Sequence, residues 1–378
     1  MAEVNKKLGF GLMRLPVFDG DPTRIDMDQV CKMVDIFMED GCTYFDTSYV
    51  YHNGASETAV RHALVERYPR ESFFLADKLP TFIISEESQV EAIFNESLEK
   101  TGAGYFDNYL LHNLNAARYD GVVKSCHMFE YMQRWKDEGK IRHIGFSFHD
   151  SADVLDRILS EHPEMEFVQI ALNYLDWEHA SVQARACYET IRRHGKQVVV
   201  MEAVKGGTLA SVPEDVEAFL REANPSRSAV DWSLLFDASL DGVLSVLSGM
   251  SDVEQVEQNV RCLSDFTPLS ADEFKVLEQA AAILDAKVAF QLTDPEKYAD
   301  VCPEGIPVAG LLRYYNEAMQ ELDVTFSSEL NYYGNLRDRT QPVSKCTHCG
   351  KCAGIMPGHD VPAALKKAED WLSAHSFF

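Results

Sequence analysis

The sequence predicts a closed (β/α)8 barrel over residues 1–268 and a mainly helical, cysteine-containing extension over residues 269–378, on three observations. Eight short runs rich in β-branched and aromatic residues lie between Leu8 and Ser248. Successive runs are mostly about 25 to 35 residues apart, which leaves room for one helix in each interval and suits right-handed βαβ units around a parallel sheet. From about Ser270 the strand series stops, and helix-like stretches are separated by Cys, Pro and Gly punctuation.

In order, the strand runs are Leu8 to Met13, Thr43 to Thr47, Phe73 to Lys78, Asn108 to His112, His143 to Phe148, Phe167 to Leu172, Gln197 to Glu202 and Gly242 to Ser248. Ile25 to Met38 carries apolar residues at helical spacing, and Ser85 to Leu98 opens with a serine and two glutamates suited to a helix N-terminus. Ser251-Asp252 precedes a helix-like run to Cys262, and Pro213 and Pro225 interrupt the chain before the eighth strand. Beyond the barrel, Asp272 to Ala286 and Val308 to Leu322 read as helices.

An excess of 60 acidic over 35 basic residues sets the net charge at -25. Such a chain repels phosphate backbones and anionic bilayers, which argues against nucleic-acid and membrane partners. Met1 to Lys7 is polar and no apolar run approaches a membrane span, so a cytoplasmic protein is expected. Nine cysteines, an odd number, do not form a disulfide framework here. Cys31, Cys42, Cys126, Cys187 and Cys262 are scattered and suit burial as small apolar residues, whereas Cys346, Cys349 and Cys352 are clustered.

Four polar residues fall at or just after the C-terminal ends of strands two, three and four: Asp46, Tyr51, Lys78 and His112. Barrel enzymes assemble their sites at that end. The chemistry suits carbonyl reduction: a tyrosine can protonate a developing alkoxide, and a neighbouring Lys78 ammonium is expected to lower its pKa. Asp46 would pair with Lys78, and His112 would orient the substrate oxygen. Taken singly, each residue has a plainer reading, as turn cap, solvated strand end or satisfied core histidine.

Several stretches together resemble the aldo-keto reductase family. They are Leu8-Gly9-Phe10-Gly11-Leu12-Met13-Arg14-Leu15-Pro16, Phe45 to Glu57, Tyr109-Leu110-Leu111-His112, Ile144-Gly145-Phe146-Ser147, and Met201-Glu202-Ala203 with Gly206-Gly207. The resemblance spans the barrel and implies Asp46, Tyr51, Lys78 and His112 as a catalytic tetrad, Tyr51 being the general acid, acting on a small-molecule carbonyl substrate. It also implies an NADP or NAD site, with Ser147, Gln169 and Asn173 at the carboxamide end and the stretch carrying Ser248, Gly249, Gln255 and Asn259 at the adenosine end; Gly11, Met13 and Arg14 are further implied cofactor contacts. Where many NADPH-dependent relatives carry a lysine and an arginine, this chain has Ser248-Gly249-Met250-Ser251-Asp252 and Gln255, leaving Lys205 or Arg261 as substitute cations and the choice between NADPH and NADH open. Asn115 to Tyr119, Tyr174 to His179 and the tail are candidate substrate loops. Tyr49, Phe148, Tyr174 and Trp177 suit an apolar or aromatic substrate, or equally barrel packing.

Cys346-Thr347-His348-Cys349-Gly350-Lys351-Cys352 is a CxxCxxC run that brings three thiolates together and signals a metal centre. In bacterial-type ferredoxins a fourth cysteine and a proline follow after three more residues; here that place holds Met356-Pro357. The tail resembles that of aldo-keto reductases with a C-terminal ferredoxin-like region, whose fuller members carry two such motifs. Cys302-Pro303 looks like the end of the first motif without its leading run. Because the fourth cysteine of one motif ligates the other motif's cluster, the resemblance implies a single 4Fe-4S cluster on Cys302, Cys346, Cys349 and Cys352, the second having been lost. Zinc held by three cysteines and His348 or His359 is the alternative metal. The alternative function is an electron-transfer or redox-sensing protein with a redox partner and a ligand-binding barrel.

Overall fold

The computed structural model describes residues 6–322 and 327–376. Two compact units emerge. One comprises the chain up to Asn173, Ala184–Ala203 and Val230–Ser270; the other comprises Tyr174–Gln183, Val204–Ala229 and the chain from Ala271 onward.

In the first unit, β1 (Leu8–Gly11), β2 (Tyr44–Asp46), β3 (Phe74–Pro80), β4 (Phe106–Leu114), β5 (Ile141–Phe148), β6 (Phe167–Ala171), β7 (Gln197–Met201) and β8 (Val243–Ser248) close a parallel barrel in sequence order, with β8 pairing back onto β1. All eight strand runs read from the sequence are strands. Most are near-continuously apolar because helices cover their outer face and side chains fill their inner one. Tyr44, Leu110, Phe167 and Leu247 contribute to that filling, and two glycines make it possible. A Cβ at Gly9 would stand 2.4 Å from Ser245 Oγ and 2.6 Å from Leu247 Cδ2, and one at Gly145 would stand 2.5 Å from the Phe167 carbonyl oxygen. Gly145→Ala must move a β6 backbone atom and is expected to destabilise the protein by about 1–3 kcal/mol, read as a lower urea midpoint.

Asp26 caps the helix Met27–Glu39 by accepting the Gln29 N–H at 3.1 Å, and Asp252 caps Val253–Leu263 by accepting that of Gln255 at 2.8 Å. The third barrel helix begins later than expected, at Ser88 rather than Ser85. There the cap runs in reverse: Gln89 Oε1, inside the helix, accepts the N–H groups of Ser85 and Glu86 at 2.8 and 3.0 Å.

The second unit contains helices Glu214–Ala223, Ala271–Asp285, Val308–Gln320, Ser328–Arg339 and Val361–His375. It buries charge. Lys205 Nζ donates to both Asp176 oxygens at 2.7 and 2.9 Å and to Glu329, while His179 lies 3.2 Å from Asp176 and 3.1 Å from Asp285. Burial alone would lower the His179 pKa, but Asp176, Asp285 and Glu317 raise it to about 11. Burial lifts Glu317, which accepts the Ser181 hydroxyl, to about 7. Among the described residues no helix is long and apolar enough to cross a membrane.

Candidate active site

The strand ends bring the four expected polar residues to one place. Asp46 closes β2, in register with Gly11 of β1 and Ala76 of β3. From β3, Lys78 Nζ donates to Asp46 Oδ1 at 2.5 Å and to the Thr47 carbonyl at 2.7 Å, with both side chains almost fully buried. Tyr51 opens the following turn, and Lys78 Nζ stands 4.7 Å from its ring centroid. Burial alone would lower the Lys78 pKa; the adjacent Asp46 carboxylate and Tyr51 reverse this and hold it above the ordinary lysine value.

The expected lowering of the Tyr51 pKa is corrected by the structure. Burial raises it by more than Lys78 lowers it, and Asp46 and Glu202 add to the rise. The ammonium still favours the tyrosinate, but the dry surroundings favour the neutral phenol more.

His112 owes its place to an irregularity in β4. Pairing with β5 shifts register between Leu111 and Leu114, Asn113 sits at φ 62°, and its N–H donates to Ser147 Oγ at 2.7 Å. Such a bulge re-aims the side chains beside it. The imidazole lies edge-on to Tyr51, centroids 5.9 Å apart, with Nδ1 3.1 Å from the Ser48 hydroxyl. Burial, followed by the charges of Lys78, His149 and Arg118, pushes its pKa well below the ordinary histidine value. His112 is therefore neutral near pH 7.

The expected cofactor residues lie in this same unit. Ser147 is anchored as the acceptor for Asn113, and Asn173 Nδ2 donates to the Glu202 carbonyl at 3.1 Å. Gln169 is buried, and its Oε1, like Asp46 Oδ2, has no hydrogen-bond partner among the described residues. At the end of β8, Asn259 Nδ2 donates to Ser248 Oγ at 2.9 Å. Gly249 faces the side chain of Arg14, whose Cδ would be 3.3 Å from an added Cβ, and the Ser251 hydroxyl donates to the Arg14 carbonyl at 2.8 Å. Met13 is half-buried beside Arg14. Gln255 turns back on its own helix end, accepting from Ser251 N–H at 2.9 Å and donating to Asp252 at 2.8 Å.

Lys205 is neutralised in the buried network of the second unit by Asp176 and Glu329. Arg261 occupies the last turn of Val253–Leu263.

In the second unit, Cys302, Cys346, Cys349 and Cys352 line one small cavity. Burial raises the Cys352 thiol pKa, and the nearby Cys346, Cys349 and Cys302 raise it further. Among the described residues no group of three or more His, Cys, Asp or Glu side chains is placed to hold a metal ion. Counting back from Cys302, a complete leading run would place cysteines at Leu292, Pro295 and Tyr298. Tyr298 instead packs its hydroxyl end against Gly354, where a Cβ would meet it at 2.0 Å; Thr293 N–H donates to the Ile355 carbonyl at 2.8 Å, and Met356 is buried. Ordinary side chains fill that region.

A sequence profile described as the aldo/keto reductase family matches residues 7–282. The chain belongs to this family. It is an oxidoreductase of the aldo-keto reductase type, and residues 283–378 lie beyond the match. Among its relatives, L-galactose dehydrogenase of Arabidopsis thaliana is 25% identical over 262 residues, covering 65% of this chain and 81% of the relative. An aldo-keto reductase of Mycobacterium avium is 26% identical over 284 residues, 74% of this chain and 92% of the relative. The holo form of a Bacillus halodurans aldo-keto reductase superposes with a TM-score of 0.58 at 26% identity, covering 72% of this chain and 91% of that one. A Klebsiella pneumoniae aldo-keto reductase solved with NADPH shares the fold at 19% identity, with a TM-score of 0.58 over 72% of this chain and 90% of that one.

In this aldo-keto reductase some residues near the site escape a reading by strand ends. Phe82, beyond β3, packs 5.4 Å from the His112 ring. Of the aromatics that suit either a substrate or barrel packing, Tyr49 hydrogen-bonds Glu96 at 2.9 Å and lies under Lys100, and Phe148 packs against Phe146 in the core. His52, directly after Tyr51, sits at φ 52°, its Nε2 accepting the Leu15 N–H at 3.0 Å and its Nδ1 donating to the Pro22 carbonyl at 2.9 Å. A neutral imidazole thus ties the Tyr51 turn to the loop after β1. His52→Ala is expected to remove both bonds, cost about 1–3 kcal/mol in thermal stability and lower kcat more than it raises KM, because the proton donor loses its support.

Proposed function

We propose that this aldo-keto reductase reduces a small-molecule carbonyl compound with NADPH, Tyr51 being the proton donor. The observation that carries the reading is the convergence of Tyr51, the Lys78–Asp46 ion pair and His112 at one set of strand ends. When bound, the reduced nicotinamide supplies a hydride to the carbonyl carbon. As that C–H bond forms, the Tyr51 O–H bond breaks and its proton passes to the carbonyl oxygen, giving the alcohol. His112 Nε2 orients that oxygen by hydrogen bonding, while Lys78 steadies the charge left on the tyrosine and Asp46 holds Lys78 in place.

The residues suit this cofactor. A carboxamide offers the N–H donors that buried Gln169 Oε1 calls for, and Ser147 and Asn173 offer further polar contacts. Arg14, along Gly249, supplies a guanidinium for a 2′-phosphate. A panel of aldehydes and ketones assayed with NADPH and NADH tests the reading: carbonyl-dependent oxidation of NADPH is expected, faster than of NADH, and oxidation of neither cofactor overturns it.

We also propose one 4Fe-4S cluster on Cys302, Cys346, Cys349 and Cys352. What supports this reading is that four cysteines, the donor type that iron-sulfur clusters take, line one cavity. The cluster, when bound, supplies one-electron chemistry or a structural clamp. The packing of Tyr298 and Met356 supports one cluster rather than two.

A further inference from the structure

We infer that Asp77 and Glu57 share one proton, and that the hydrogen-bonded acid pair they form is a positioning element that holds the segment carrying Tyr51 against the strand carrying Lys78. The inference rests on the reductase reading above.

Successive side chains of β3 point to opposite faces. Lys78 reaches inward to Asp46, so Asp77 points outward, under the helices. There it stands in register with Tyr109 of β4, whose ring packs against Phe94 and Trp135 at centroid distances of 5.1 and 6.0 Å. Asp77 is fully buried, and its Oδ1 accepts the Lys78 N–H at 2.7 Å. Against its carboxyl lies that of Glu57, also fully buried, from the helix Ser56–Val60 that follows the Tyr51 turn. Glu57 Oε2 accepts from Lys100 Nζ at 3.2 Å, and this ammonium also lies 3.1 Å from Glu96.

Each acid thus has one oxygen satisfied and one left over. Asp77 Oδ2 and Glu57 Oε1 receive no hydrogen bond from any donor among the described residues, and the neighbouring Tyr109 hydroxyl donates to neither. Two ionised carboxylates in contact would repel each other in surroundings too dry to solvate either. One proton between Oδ2 and Oε1 removes the repulsion and satisfies both oxygens. Lys100 keeps the charge on Glu57, so the proton resides on Asp77, whose pKa burial and then Glu57 raise well above the ordinary carboxylate range. The consequence for the site follows from the chain. The loop from Thr47 to Ser56, which carries Tyr51, is closed at its ends by Thr47 Oγ1 and Ser56 Oγ, 2.8 Å apart. Glu57 continues that loop and Asp77 precedes Lys78, so the acid pair fastens the proton donor's loop to the strand of its ammonium.

The test joins infrared spectroscopy with kinetics. At neutral pH the wild type is expected to show the C=O stretch of an un-ionised carboxylic acid that is missing from Asp77→Asn; no such difference between the two folded proteins overturns the shared proton, whatever the turnover. With a carbonyl substrate and saturating NADPH, Asp77→Ala is expected to lower kcat about 10- to 100-fold, the scale of a small misplacement of reacting groups, with KM and NADPH affinity close to wild type. Asp77→Asn, whose amide accepts from the Lys78 N–H and donates to Glu57, should recover most of that rate. A kcat in Asp77→Asn as low as in Asp77→Ala overturns the inference, as does an unchanged kcat in Asp77→Ala or a loss carried by KM. Should Asp77→Ala fail to fold, a comparable loss of kcat in folded Asp77→Asn against the wild type is the overturning result. A wild type with the acid band but no turnover of any carbonyl compound would instead remove the reductase reading.

Discussion

Tyr51→Phe lowers kcat for carbonyl reduction by about 10²–10⁴-fold, the range expected when a positioned general acid is removed, while cofactor binding stays near that of the parent. The separation follows from placement. Tyr51 lies under Lys78 and edge-on to His112, whereas the residues suited to the cofactor lie on β5 to β8 and the loop after β1. Unchanged turnover in this variant would end the assignment. The pH profile makes a second demand. Because burial outweighs Lys78 and holds the phenol above its ordinary pKa, the acid form persists through neutral and mildly alkaline pH, and kcat/KM for reduction should fall only above the ordinary tyrosine range. His112 stays neutral and adds no inflection near its ordinary pKa. A fall beginning below pH 8 would mean that Lys78, not burial, governs Tyr51.

Cys302→Ser is expected to remove the proposed iron-sulfur cluster as completely as Cys349→Ser, although Cys302 lies 44 positions before the CxxCxxC run. The measurement is iron and acid-labile sulfide per chain on anaerobically purified protein, with the visible absorption of the cluster. Iron retained at the wild-type level in Cys302→Ser would reject the pairing, and a colourless wild type holding one zinc would reject the cluster. The cavity shared by all four cysteines motivates the expectation. The packing of Tyr298 against Gly354 and the burial of Met356 add that wild-type iron should match one cluster and not two. Since a metal centre stabilises the fold that binds it, both serine variants should also melt at lower temperature.

The barrel was legible because its signals are local. Apolar runs at regular intervals, separated by helix-length stretches, suffice to place eight parallel strands, and the residues at their C-terminal ends then fall together by topology alone. Asp46, Tyr51, Lys78 and His112 were found in this way. Three features were decided only by the tertiary structure. The pKa of Tyr51 depends on a balance between burial and one ammonium, and residue types reveal the ammonium but not the burial. Lys205 reads as an available cation until Asp176 and Glu329, remote in sequence, close around it. The placing of His112 and Arg118 depends on a register shift in β4 and a left-handed Asn113, whose N–H donates to the Ser147 hydroxyl 34 residues away. The sequence by itself determined the barrel and the chemical groups at its mouth, since periodicity and topology act residue by residue; the protonation and reach of those groups came from packing, because dielectric and hydrogen-bond partners are properties of neighbours in space.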